Sequence, residues 1–189
     1  FTKDSSWDCD GNATSTCEDK VWVDDIFLWY DGASTSQAAC QTGTYQPYAG
    51  QSSCIDADSG HYVDSTAATS QTACNPGTFQ PDSGQSSCLE ADPGHYVDTS
   101  AAISQSPCSD GSYQPSVNQS SCIDASPGYY VDSTAAISQT ACSAGTYNPN
   151  TGSTSSSACI TTAAGHYSGS GAASQTPCAA GTYNPSTGQ

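Results

Sequence analysis

Four cysteines, Cys40, Cys74, Cys108 and Cys142, follow one another at intervals of 34 residues, and a second series, Cys54, Cys88 and Cys122, keeps the same interval. Cys159 comes three residues late in that series, and Cys178 two late in the first. A chain that repeats itself at a short fixed period folds as stacked copies of one small unit, each touching mainly its neighbours. The period divides the chain into repeats 40–73, 74–107, 108–141 and 142–177, with 178–189 opening a fifth.

Composition decides what can hold such units together. Two Leu, six Ile, six Val and three Phe are too few for a conventional core in 189 residues, and a formal net charge of −16 opposes compaction. Disulfides commonly rescue chains of this kind, each contributing about 2–4 kcal/mol. Zinc is the other use of clustered cysteines, but there is no CxxC, and the closest pair, Cys9 and Cys17, has seven residues between its members. An oxidising, extracellular or cell-surface setting follows. No apolar run is long enough to span a bilayer. With both lysines at Lys3 and Lys20 and no arginine, the charge balance also excludes nucleic acid as a partner. The same lack of basic residues predicts resistance to trypsin beyond Lys20.

Within a repeat, a short half (74–87) and a long half (88–107) each place Gly two residues before an aromatic. Gly43, Gly77, Gly111, Gly145 and Gly181 read as tight turns. Tyr45, Phe79, Tyr113, Tyr147 and Tyr183 follow, and then Pro47, Pro81, Pro115, Pro149 and Pro185. The expected fold is a small disulfide-rich repeat array: short β-hairpins and loops stacked into an elongated rod, with little helix and with half-buried aromatics between repeats.

Two disulfide registers are open. Bridges across the short half pair Cys40–Cys54, Cys74–Cys88, Cys108–Cys122 and Cys142–Cys159; bridges across the long half pair Cys54–Cys74 and onward. The short half closes compact loops and leaves Cys9 and Cys17 to pair with each other. Cys178 then lacks a partner. Gly-Gln precedes Ser-Ser-Cys in earlier repeats, so its expected partner lies beyond Gln189.

The pattern Cys-x-x-Gly-Thr-Tyr followed by Ser-x-Cys, as in residues 142–159, resembles the ephrin-receptor-like cysteine-rich repeat. It is similar too to the first loop of tumour-necrosis-factor-receptor modules, in which the two cysteines of the loop pair. Long arrays of this kind resemble giant secreted surface proteins of aquatic microbes. The resemblance covers residues 40–189 and implies an extracellular scaffold without catalytic residues. One departure is plain: Ile-Asp-Ala-Asp follows Cys54 where the family often has a further cysteine at CxxC spacing, so the family's second-loop pairing does not carry over.

Residues 1–39 stand apart, with eight of the 18 acids, both lysines and all three tryptophans. The cluster Val21, Trp22, Val23, Ile26, Phe27, Leu28, Trp29 and Tyr30 reads as a cap on the first repeat or as an assembly interface with another copy of the chain.

Other chemistry is sparse. Asp56, Asp58 and Asp64, with Glu90, Asp92 and Asp98 one repeat later, are the acids a calcium loop would draw on. The pattern loses members in the third repeat and all of them in the fourth, and it lacks a distal bidentate Glu. The expectation is a solvated turn, calcium being the alternative, and no other cofactor. His61, His95 and His166 share a position that is Tyr129 in the third repeat, which suits an aromatic surface better than a catalytic role. No nucleophile motif or phosphate loop occurs. Asn12 and Asn118 head glycosylation sequons, and Ser and Thr abound along the whole chain with Pro among them, a composition suited to O-linked sugar. The sequence therefore points to a non-enzymatic, glycosylated component of an extracellular fibre, stalk or appendage assembled from copies of itself, or else to an adhesin or receptor ectodomain with the repeats as spacer.

Overall fold

The computed structural model describes residues 38–189 together with the backbone of two strands nearer the N-terminus. The chain separates into two compact units, Phe1–Ala38 and Ala39–Gln189. In the first, β1 (Lys20–Val23) and β2 (Ile26–Trp29) pair antiparallel, with Val21 opposite Leu28 and Trp22 opposite Phe27.

The second unit is a run of eight minimal hairpins, every strand two residues long. Thr44–Tyr45 pairs with Ile55–Asp56, His61–Tyr62 with Thr72–Ala73, and so along the array. Among the described residues the only helical segment is a single 3-10 turn, Ser156–Ala158, where the fourth repeat carries its extra residues.

The hairpins show that the repeat is two equal units rather than a short and a long half. Buried Cys40, Ala57, Cys74, Ala91, Cys108, Ala125 and Cys142 head successive units of the same length. Cys and Ala alternate because both fit the same small, fully enclosed position. Each unit opens on a β-turn in which the residue after Gly donates its N–H three residues back, as Thr44 does to Gln41 and His61 to Asp58. The glycine has φ between +76° and +90° in all nine such turns among the described residues. That backbone suits the third residue of a type II turn, and Gly adopts it without a steric penalty.

Units are laced together by backbone hydrogen bonds that recur along the array. The turn glycine donates to the unit ahead (Gly43 to the Val63 carbonyl, 2.7 Å; Gly60 to Gln80, 2.7 Å), and the head of that unit donates back (Ala57 to Gly43, 2.8 Å; Cys74 to Gly60, 2.9 Å). A second left-handed residue in each unit closes the connection behind it: Ala67 donates to Cys40, Gly84 to Ala57, Ala101 to Cys74 and Asn118 to Ala91, all at 2.8 Å. The turn glycine also packs two units ahead. A Cβ on Gly43 would strike the Gly84 carbonyl, and one on Gly60 the Ala101 carbonyl. Units with a Cys head therefore stack on one another, and units with an Ala head do likewise.

Tyr45, Phe79, Tyr113 and Tyr147 are half-buried, as expected of them, whereas Tyr183 is 84 % exposed, and the fully enclosed positions are smaller and partly polar. Val63, Val97 and Val131 alternate there with Gln80, Gln114 and Asn148, each no more than 4 % exposed. The buried amides are satisfied locally. Gln80 donates to the Ser87 carbonyl (2.8 Å) and accepts from the Asp82 N–H (3.1 Å), and Gln114 does the same with Ser121 and Ser116. No buried side-chain polar atom among the described residues lacks a partner, as a core of this small size requires.

Candidate functional site

Among the described residues no cleft gathers reactive groups, so the candidate site is the repeated surface itself, built by the two kinds of unit. In Cys-headed units the structure joins Cys40–Cys54, Cys74–Cys88, Cys108–Cys122 and Cys142–Cys159, with Cα atoms 5.7–5.8 Å apart. Each of these four bridges lies inside one unit. Cys178 is half-buried and bonds to no described cysteine. Cys9 and Cys17 lie outside the described residues.

Ala-headed units carry a different lock at the same place. At the offset from the Ala head where the other units have their second Cys stands Gln71, Gln105 or Gln139. The Gln71 amide accepts from the Asp58 N–H and donates to the Asp58 carboxylate, both at 2.7 Å. Gln105 grips Asp92 in the same way. Gln139 accepts only from the Ser126 N–H, because Ser has no carboxylate to offer. Sequence reasoning missed this clamp, although the matching offset of Cys and Gln from their unit heads was available as a signal. Gln105→Ala is expected to cost about 1 kcal/mol, since it strips one main-chain and one charged hydrogen bond at a solvated edge; a shift in the urea midpoint of the unfolding of residues 39–189 measures it.

The clamp also gives two of the calcium candidates a role. Asp58 and Asp92 are engaged by glutamine, while Asp56 and Glu90 sit opposite Thr44 and Thr78 in the hairpins of successive Cys-headed units. Among the described residues, no three His, Cys, Asp or Glu side chains converge as a metal site. Asp64 and Asp98 are exposed in the segment after each Val.

His61, His95 and His166 are half-buried, each with Nδ1 3.3 Å from the carbonyl two residues before it: Ser59, Pro93 and Ala164. They recur on the units that alternate with the disulfide-bridged ones. On the Cys-headed units Ile55, Leu89, Ile123 and Ile160 recur, 43–48 % exposed, each across its hairpin from Tyr45, Phe79, Tyr113 or Tyr147.

Asn118 is exposed and occupies the left-handed position that Gly50, Gly84 and Gly152 fill in the other Cys-headed units, at φ +59°. Asn tolerates that conformation better than most residues. Its sequon therefore stands on a tight turn, beside a shallow depression lined by Tyr62, Pro76 and Thr78. Asn12 lies outside the described residues. So do the side chains of Val21, Trp22, Val23, Ile26, Phe27, Leu28 and Trp29, and all of Tyr30; only the strand pairing in that segment is described.

Among the described residues, no helix is long and apolar enough to cross a membrane. No curated protein matches the chain. Residues 31–74 match the family model described as tyrosine-protein kinase ephrin type A/B receptor-like. With the same disulfide recurring in each repeat beyond that stretch, the chain from residue 39 onward is an array of cysteine-rich tandem repeats similar to the ephrin-receptor-like family.

Proposed function

We propose that this protein is a non-enzymatic structural component of an extracellular fibre, stalk or surface appendage. The observation that carries the reading is the lacing of unit to unit: the same backbone hydrogen bonds recur from Gly43 to Gly188, the turn glycines from Gly43 to Gly145 each meet the backbone two units ahead, and no cleft interrupts residues 40–189. Such a framework holds distance and direction, and it needs no metal or cofactor. Its bridges require an oxidising environment, and the receptor-like repeat family supports an extracellular one. The aromatic segment 21–30 is the element proposed to join one copy to the next. From residue 133 onward there is no charged side chain. Sugars on the hydroxyl-rich surface would keep that part soluble, and Asn118 offers a further point of attachment before it.

The match to the ephrin-receptor-like model favours a second reading, an adhesin or receptor ectodomain in which the repeats are spacer and the N-terminal segment holds a ligand. Electron microscopy of the native, unreduced protein at neutral pH separates the two. Filaments with a regular axial repeat are expected of the structural reading. Separate thin strings would overturn it in favour of the ectodomain. Intact mass on the same preparation is expected to exceed the chain mass by attached sugar.

A further inference from the structure

The placement of the bridges has a mechanical consequence that does not depend on whether the chain forms fibres. Each of the four described disulfides closes a loop within one unit, and none ties a unit to the next. What joins units is hydrogen bonding and the packing of small side chains. Between bridges run 55–73, 89–107 and 123–141, each containing an Ala-headed unit whose lock is the glutamine clamp rather than a covalent bond. Covalent and hydrogen-bonded locks thus alternate along the array, unit by unit.

Because each unit touches only the units one and two along, the array comes apart locally rather than all at once. We propose that residues 39–189 form an extensible tether. Load along the chain peels units from their neighbours in sequence. The Ala-headed segments lengthen, and the bridged loops stay shut as fixed knots that limit the extension and keep the two sides of each loop in register for re-stacking.

The lengths follow from the connectivity. With bridges intact, a stretched repeat spans the chain from Cys54 to Cys74 plus one bridge, roughly 78 Å in all at about 3.6 Å per residue. Breaking a bridge releases its 14-residue loop and replaces a 5.8 Å Cα–Cα span, a gain of about 45 Å.

The test is to hold the whole chain by its two ends in magnetic tweezers at neutral pH without reductant, and to raise the force. The expected record is a staircase of similar steps, each bounded by roughly 78 Å of contour per repeat. Dithiothreitol added to the stretched tether then lengthens it by about 45 Å for each bridge that closes a 14-residue loop. A single all-or-none rupture would overturn the proposal, as would steps of roughly 122 Å per repeat without reductant, the length of a whole repeat freely extended. The variant A91C/Q105C places a bridge in the Ala-headed unit 91–107. Once its mass shows the bridge closed, the stretched oxidised tether is expected to be shorter by about 45 Å. An unchanged length would mean that this unit is not what lengthens, and would also overturn the proposal.

Discussion

Reduced with dithiothreitol, residues 39–189 are expected to lose their fold outright. The reason lies in what the array buries. Its enclosed side chains are Cys, Ala, Val, Gln, Asn, Ser and Thr, and Ile55, Leu89, Ile123 and Ile160 remain nearly half exposed. Little hydrophobic free energy is available to offset the ordering of a glycine- and serine-rich backbone. Closing a loop of about 15 residues in the unfolded chain is worth about 3 kcal/mol, so four bridges supply on the order of 12 kcal/mol, comparable to the entire net stability of an ordinary domain. Cleavage by chymotrypsin at the half-buried tyrosines, slow in the oxidised chain and fast in the reduced one, measures the loss. Continued protection under reductant would show that the backbone lacing suffices alone.

The two kinds of unit allow a sharper version of the same test. Cys108 is fully enclosed at a position where its neighbours carry Ala91 and Ala125, so C108A leaves no misfit there. C108A/C122A is expected to cost about 3 kcal/mol, the value of the lost bridge. C108A/C122Q converts the unit to the other type, with the new amide placed to accept from the Ser109 N–H as Gln139 accepts from Ser126. It is expected to recover about 1 kcal/mol of that loss. Equal midpoints for the two double variants in urea would show that the glutamine clamp is ornamental.

Cysteine spacing made much of this architecture readable in advance. A fixed period with a short loop between paired cysteines leads to a hairpin array with bridges across that loop, and Gly two residues before an aromatic marks the turns. What stayed hidden was the equality of the halves. Cysteine is conspicuous and Ala57, Ala91 and Ala125 are not, so the sequence divides by eye at Cys88 while the fold divides at Ala91. Gln80 and Gln114 could not be recognised as interior residues: a glutamine reads as a surface residue, and these are enclosed only because Ser87 and Asp82, or Ser121 and Ser116, of the same unit fold back to satisfy the amide. Asp58 and Asp92 read as acids of a solvated turn, with calcium as the alternative, because the glutamine that engages each of them, Gln71 or Gln105, stands 13 residues along the chain and arrives only when the hairpin closes. The surface properties that matter for function were legible only as composition, since the extent of glycosylation and the contacts of segment 21–30 depend on other molecules.

The turn glycines give the most local test of how tightly the layers are stacked. Gly94→Ala and Gly165→Ala alter the same turn in two units of the alternating series, at φ +82° and +76°. Both substitutions incur the penalty of an L side chain in left-handed backbone, about 1–2 kcal/mol. They differ in what the new methyl meets. Within residues 1–189 no unit lies two ahead of Gly165, and nothing is within 4 Å of the new methyl there, whereas at Gly94 the methyl would collide with the main-chain carbonyl of Ala135, two units ahead. A backbone oxygen cannot rotate away as a side chain could. Relieving the clash means separating two layers whose cohesion rests on the hydrogen bonds from Gly94 to Gln114 (2.7 Å) and from Ala135 to Cys108 (2.8 Å). Gly94→Ala is therefore expected to destabilise the array by about 3 kcal/mol or more, and Gly165→Ala by about 1–2 kcal/mol, the range for a strained turn with open space around it. Urea unfolding of the oxidised chain reads both. If the two variants lost the same amount, backbone conformation alone would explain the glycine, and the close stacking of alternate units would have to be given up. A Gly94 penalty well above that at Gly165 would place the stability of the array in contacts between units two apart, where each layer is fixed by the layer it rests on.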